Sequence, residues 1–304
     1  MKKDSLIIGS LCAIGCEMLY GMSYIFTKQA TTNASTLSLL GWRFLLAFLV
    51  MSLLIGIGIL EVNLKGKSLK PLLLVALFSP VIYFIGETIG ISHTTASESG
   101  VFLACIPVAS LIASTAILNK MPTRLQVIGI SITLVGVLVT VFAVGASSSL
   151  SLTGYAFLLI AVISYALYCV FVEKASDYTG AEITYMMLAA GAAVFIILAV
   201  IEALMNSDIS SLIALPFINK GFLVAILYQG IGCSVCAFFL SNVAIAKIGV
   251  NRTSSFIGVA TVVSIVAGAI LLKEAFSVYQ MIGAVIIVTG VYTANGKGII
   301  KKHN

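Results

Sequence analysis

Three ionisable side chains stand inside long apolar stretches: Glu17, Arg43 and Glu87. Glu17, Tyr20, Gly21 and Tyr24 recur at i, i+3, i+4 and i+7, so they share one face of a helix. Tyr83 and Glu87, four apart, share a face of another. A carboxylate among tyrosines attracts cations, since the charge pulls and the ring faces add cation–π contact. A carboxyl withdrawn from water can also take up and release a proton near neutrality. Glu17 and Glu87 are therefore candidates to bind a cationic group, to couple to protons or other cations, or to do both. Arg43 stands at a depth similar to Glu87, and a structural ion pair between these two is the competing reading for both residues.

The second half of the chain offers a less charged set. Ser164, Tyr165 and Tyr168 lie in one apolar run, and Tyr228, Gln229 and Gly232 in another, with Asn242 further along. The candidate substrate-binding residues are thus Glu17, Tyr20, Tyr24, Tyr83, Glu87, Tyr165, Tyr168, Tyr228 and Gln229. Such a site is acidic on one side and neutral polar on the other, which suits a cation or zwitterion better than an anion. Only Arg43 could meet a phosphate inside the apolar region. His93 and Glu98 flank a polar break and read as a solvated loop. Cys233 and Cys236 form a CxxC, but with no second pair and no nearby His it reads as small buried side chains rather than a metal or redox site. No metal and no cofactor is expected.

The elements that hold these residues follow from composition. Of 304 residues, 60% are hydrophobic and only 9% charged, against about 25% charged in a soluble domain. The mean hydropathy is +1.16. A soluble enzyme, a secreted disulfide scaffold and a nucleic-acid binder are excluded on these grounds, and an all-α integral membrane protein is expected. The net charge of +6 fits the Lys/Arg excess of cytoplasmic loops. Lys2 and Lys3 before an apolar run resemble a signal peptide, but the many similar runs that follow favour a retained first helix.

A membrane helix needs roughly 20 apolar residues. Ten spans fit, at about 5–27, 36–58, 71–91, 97–118, 124–144, 152–172, 182–203, 219–240, 251–272 and 278–295. With the N-terminus in the cytoplasm, thirteen of the 17 Lys and Arg fall on the cytoplasmic side and three outside, with Arg43 inside a span. Both termini are therefore expected in the cytoplasm, and the location expected is the cytoplasmic (inner) membrane.

A shift of 154 residues superposes the two halves. Phe84 falls on Phe238, Ser110 on Ser264, Gln126 on Gln280, Gly129 on Gly283 and Gly136 on Gly290. A shift of 145 brings Tyr20 onto Tyr165. Five spans per half is an odd number, so the second half would enter the membrane inverted. The expected units are 1–147 and 148–304, two five-helix inverted-topology repeats, an architecture that lets access alternate around a central site. The paired glycines read as close helix packing within the chain.

This five-plus-five pattern resembles the EamA family of the drug/metabolite transporter superfamily over essentially the whole chain. The resemblance rests on Tyr20-Gly21-Met22-Ser23-Tyr24, on Trp42-Arg43-Phe44, on Thr95 through Gly100 leading into Ile106-Pro107, and on the glycine pairs that end each half. The chain departs from the family in having Tyr20 and Tyr165 where Trp is common, and Thr261 opposite Pro107. The resemblance implies a secondary transporter working by alternating access. It is weak for substrate, since family members carry amino acids, other metabolites, organic cations and toxic compounds. The acidic, tyrosine-rich candidate residues favour a small cationic or zwitterionic metabolite such as an amino acid, with protons as a candidate coupling ion. A choline-type, quaternary-ammonium or multidrug cation carrier is the alternative, with Tyr20, Tyr83, Tyr165 and Tyr228 as walls. An intramembrane enzyme is the reading from another class, disfavoured because no HExxH, GxSxG or paired-Asp motif occurs. No phosphate-binding GxxxxGK[ST] motif occurs either, which argues against ATP hydrolysis. The expected partners are substrate, lipid and protons, with no nucleic acid. A monomer is expected, a homodimer being the alternative.

Overall fold

A computed structural model describes residues 3–30, 34–94, 102–143, 151–271 and 278–295. Every regular element among the described residues is helical. In chain order these are α1 (Lys3–Ala30), α2 (Thr36–Gly56), α3 (Lys70–Ala76), α4 (Tyr83–Ser92), α5 (Ile106–Leu118), α6 (Arg124–Ala143) and α7 (Leu152–Lys174). Then follow α8 (Gly180–Met205), α9 (Ile209–Ile218), α10 (Lys220–Leu227), α11 (Phe238–Ile248), α12 (Val250–Ser254), α13 (Gly258–Leu271) and α14 (Val278–Asn295). Two π-helical stretches join neighbours, Leu77–Ile82 between α3 and α4, and Tyr228–Ala237 between α10 and α11.

Apolar solvent makes helices obligatory, because a backbone N–H or C=O in lipid must find its partner within its own segment. The polar residues of the sequence mark where that demand ends. Ser35 Oγ caps α2 by accepting from Ser38 N at 3.0 Å. Ser151 Oγ accepts from Gly154 N at 3.1 Å at the start of α7. Thr179 and Glu182 form a reciprocal capping box on α8. Asn219 Oδ1 accepts from Phe222 N at 2.9 Å ahead of α10. Gly249, at φ +78°, ends α11 in a conformation that a side chain would strain.

Among the described residues, seven helices are long and apolar enough to cross a membrane: Asp4–Ser23, Thr36–Gly56, Lys70–Ile91, Leu152–Lys174, Gly180–Met205, Lys220–Ile248 and Val278–Asn295. The remaining expected spans appear as shorter apolar helices, Phe102–Leu118, Arg124–Thr140 and Gly258–Leu271. Helix α9 was not expected. Its stretch follows the Asn206-Ser207-Asp208 break, and it carries a proline and a serine pair that mask it as a loop. Trp42 Nε1 donates to Leu212 O at 2.9 Å and ties α9 to α2. The expected boundary at 147/148 lies outside the described residues.

The most extensive helix contacts all run between the first 143 residues and the rest. Helix α6 packs on α14, α2 on α8, α4 on α7, α1 on α11 and α13, and α5 on α7. The exterior is rich in Leu, Ile and Val, Leu53, Ile112 and Val285 among them, while the interior buries Glu17, Arg43, Gln229 and Asn242. A large buried core centres on Phe44, Met51, Phe84, Met187, Phe195 and Phe238.

Candidate functional site

The three intramembrane charges all lie inside the bundle. Glu17, on α1, is 5% exposed. Its carboxylate makes no hydrogen bond and no ion pair among the described residues, in a place where burial of an unpaired charge is costly. Its own helix holds it there, since Ala13 and Cys16, on the same inward side, are both buried.

The break between α3 and α4 sets the second carboxylate. Ser79 leaves the helical region (φ −143°, ψ 121°) and Pro80 supplies no N–H, so the helix restarts immediately before Tyr83. On the restarted helix Tyr83 Oη donates to Glu87 Oε1 at 2.7 Å, the i, i+4 pairing that the sequence indicates.

The ion pair between Arg43 and Glu87, the competing reading of both residues, is not among the salt bridges of the described residues. Arg43 Nε instead donates to Ser234 Oγ at 2.7 Å, and Nη1 to Gln229 Oε1 at 3.4 Å. The guanidinium carbon lies 4.8 Å from the Phe84 ring centroid and 5.3 Å from that of Phe44. Both neutral partners belong to the π-helical stretch 228–237. In an α-helix, residues five apart diverge by roughly 140°. A π-helix closes on i→i+5 bonds, and this winding turns Gln229 and Ser234 to the same guanidinium. Gly230 lets that stretch come close to α2: a Cβ there would lie 3.2 Å from Arg43 O and 3.1 Å from Leu46.

The tyrosines form a connected lane. Tyr83 and Tyr165 meet edge to face with centroids 5.4 Å apart, and Tyr165 and Tyr168 do the same at 5.4 Å. The Tyr83 hydroxyl sits within Coulombic reach of Arg43, Glu17 and Glu87 together, and Tyr165 and Tyr168 are in reach of Glu17. Tyr20 packs its ring on Phe238 at 6.5 Å. The lane thus runs from the Glu87 side toward Glu17, with Arg43 beside it. The side chain of Tyr24 lies outside the described residues.

Two of the candidate tyrosines have their hydroxyls engaged by the fold. Tyr168 donates to Asn242 Oδ1 at 2.7 Å and lies 3.2 Å from Ser241 Oγ. Asn242 Nδ2 in turn donates to Thr184 Oγ1 at 3.0 Å, linking α7, α8 and α11. Tyr228 donates to Leu19 O at 2.8 Å and stacks on Phe26 at 4.2 Å, so its hydroxyl points at the backbone beside Tyr20.

Residues that the sequence reading did not single out close one end of the bundle. Glu182 accepts from Lys67 Nζ at 2.9 Å on both oxygens, from Asn63 N at 3.2 Å and from Thr179 N at 2.9 Å. Glu173 accepts from Lys120 Nζ and, at 2.7 Å, from Val250 N. These bonds join the loops before α3 and α6 to the ends of α7 and α8 and to the start of α12. The Thr179-x-x-Glu182 pattern signals a helix start in the sequence; the lysine partners carry no local signal. Toward the other end, Ser35 Oγ donates to Glu202 Oε2, which joins the start of α2 to the last turn of α8.

Comparison with known proteins agrees with this architecture. The model of the EamA-like transporter family matches residues 7–142 and 152–296. A Bacillus subtilis protein described as the uncharacterized transporter YcxC is 30% identical over 297 residues, covering 97% of this chain and 95% of that one. An uncharacterized transporter of Archaeoglobus fulgidus is 22% identical over 274 residues, covering 90% of this chain and 93% of its own. One solved crystal structure superposes with a TM-score of 0.77 at 15% identity, covering 97% of this chain and 99% of that one, a likeness of fold. With its several spanning apolar helices, the chain is a multi-pass membrane protein and belongs to the EamA-like transporter family of the drug/metabolite transporter superfamily.

Proposed function

We propose that this protein is a secondary active transporter that moves a small cationic or zwitterionic metabolite, an amino acid or related compound, across the cytoplasmic membrane by alternating access, with Glu17 as the group that couples flux to a proton or to the substrate's own cation. The observation that carries the reading is the isolation of Glu17, a carboxylate almost wholly buried and without a hydrogen-bond or ion-pair partner among the described residues. A charge there demands neutralisation. A proton, or the ammonium of a bound substrate, supplies it and leaves again when access changes side. The tyrosine lane beside it offers ring faces to the same cation.

The proposed frame is ten spans in two inverted five-helix repeats, 1–147 and 148–304, with both termini cytoplasmic. Two observations support it. The π-helical stretch 77–82, moved by the 154-residue offset, falls inside the stretch 228–237, and helices interrupted at matching places in two halves are where transporters bind substrate. The main helix contacts also persist when the halves are exchanged. Helix α1 on α11 corresponds to α7 on α4, α1 on α13 to α7 on α5, and the pairs α2–α8 and α6–α14 correspond to themselves.

The test is flux in proteoliposomes with an imposed pH gradient, using radiolabelled alanine, lysine and choline and a trapped pH indicator. The expected result is gradient-driven movement of at least one of these compounds, lost in Glu17→Gln while the protein remains folded. Gradient-driven flux that persists unchanged in Glu17→Gln overturns the assignment of Glu17.

A further inference from the structure

Arg43 is 6% exposed, and its two hydrogen-bond partners, Ser234 and Gln229, are neutral. A guanidinium has five N–H donors in a planar fork. Two of the five are used. The other three meet no acceptor among the described residues. No carboxylate lies within 4.0 Å, since the ion pairs among the described residues are those of Lys67 and Lys120. The Phe84 and Phe44 rings lie 4.8 and 5.3 Å from its central carbon and supply no hydrogen-bond acceptor.

A structural arginine at this depth would be expected to end on an acid, and Glu87 is near enough to act on it electrostatically. Yet Glu87 is bonded to Tyr83 and Arg43 to the π-helical stretch. Two opposite charges, Arg43 and Glu17, are thus each without an ion-pair partner among the described residues. An unpaired buried guanidinium presents the geometry that takes a carboxylate through two parallel N–H···O bonds.

We infer that Arg43 is the receptor for a carboxylate on the transported molecule. The substrate then carries an acid group as well as any cationic one, and Ser234 and Gln229 hold the guanidinium in place through its Nε and Nη1. The inference deepens the transport reading and rests on it, and it favours a zwitterion over choline or another pure cation. It assigns Arg43 to the substrate rather than to the fold.

The test uses the full-length protein in detergent and follows thermal unfolding with propionate, with propionamide, and with chloride at the same concentration. Propionate is expected to raise the midpoint by about 2 °C or more over chloride. Propionamide, identical in shape but without the charge, is expected to do nothing. Arg43→Met is expected to abolish the propionate effect while unfolding at or above the wild-type midpoint, because an uncompensated buried charge has been removed. Arg43→Lys, which keeps the charge but not the fork, is expected to retain a reduced effect. The inference is overturned if propionate and propionamide act alike on the wild type, if Arg43→Met responds as the wild type does, or if both variants unfold well below it, the mark of a strut. Repeating the propionate comparison in Glu17→Gln separates the two readings, since protection there depends on Arg43 alone.

Discussion

Gly129 and Gly290 meet backbone to backbone: a Cβ on either would lie 2.6 Å from the carbonyl oxygen of the other. Gly136 and Gly283 do the same, at 2.9 and 2.8 Å. By the 154-residue offset Gly129 matches Gly283 and Gly136 matches Gly290. Each glycine therefore faces the counterpart of the other member of its pair, the arrangement a two-fold axis produces when two like helices cross antiparallel. This supports the inverted-repeat proposal from packing, independently of the spacing that suggested it.

Gly290→Leu should be among the most damaging single changes on the α6–α14 face. Its side chain would meet the Gly129 oxygen, Thr133 N at 2.5 Å and Thr133 Oγ1 at 2.4 Å. Overpacking of this kind costs roughly 1–3 kcal/mol or more. Gly56→Ala, with nothing within 4 Å of its Cβ, should stay within about 0.5 kcal/mol of wild type. Unfolding midpoints in detergent, measured side by side, check the contrast.

The link from Tyr168 through Asn242 to Thr184 joins three helices beside the tyrosine lane. Tyr168→Phe removes one hydrogen bond and should cost about 0.5–1.5 kcal/mol. Asn242→Leu removes two hydrogen bonds, while the Tyr168 hydroxyl keeps Ser241 and the Thr184 hydroxyl keeps Gly180 O. It should cost more, about 1–3 kcal/mol, at about 0.5–1.5 for each bond. A double-mutant cycle should show coupling between the two positions, whereas full additivity would mean the link does not act as a unit.

Glu182 collects four hydrogen bonds from three residues on two segments, but Lys67 is one-third exposed. Lys67→Ala should therefore lose only about 0.5–1 kcal/mol, and Glu182→Ala distinctly more, since the Thr179 and Asn63 amides lose their acceptor together. Equal midpoints for the two variants would show that the salt bridge, rather than the capping box, dominates this corner.

Glu173 is the acceptor for the first amide of α12 and for Lys120 at once. Glu173→Ala should speed hydrogen exchange at Val250 and loosen the loop around Lys120, while leaving exchange in α6 and α14 unchanged. Because these bonds tie together loops from both halves at one end of the bundle, the proposed alternating-access mechanism predicts that the same variant shifts the access equilibrium. Cysteine labelling from each side of a sealed vesicle is the measurement.

Reading the chain alone picked out which ionisable and aromatic side chains stand in apolar segments more readily than their partners. Glu17, Arg43 and Glu87 are legible because an ionisable group in an apolar run is costly and stands out from its neighbours. The Tyr83–Glu87 bond is legible because four residues is the period of a helix face. The glycine pairs show as a repeat offset. Each of these signals is local, or is a comparison of the chain with itself.

The partner of Arg43 was not legible. Ser234 lies 191 residues away, and α-helical periodicity turns it away from Gln229; only the π-helical winding returns it. Neither could the sequence say that the Tyr168 and Tyr228 hydroxyls are used by the fold, or that Glu17 is left alone, because both depend on which helices become neighbours. The sequence by itself determined that the chain lives in a membrane, which of its charges stand inside, and that its halves resemble each other, since composition and periodicity carry those facts. Only the tertiary structure decided which charges pair, because in an apolar core a counter-ion is chosen by the three-dimensional path of distant helices, and here that path leaves Arg43 and Glu17 without an ion-pair partner among the described residues.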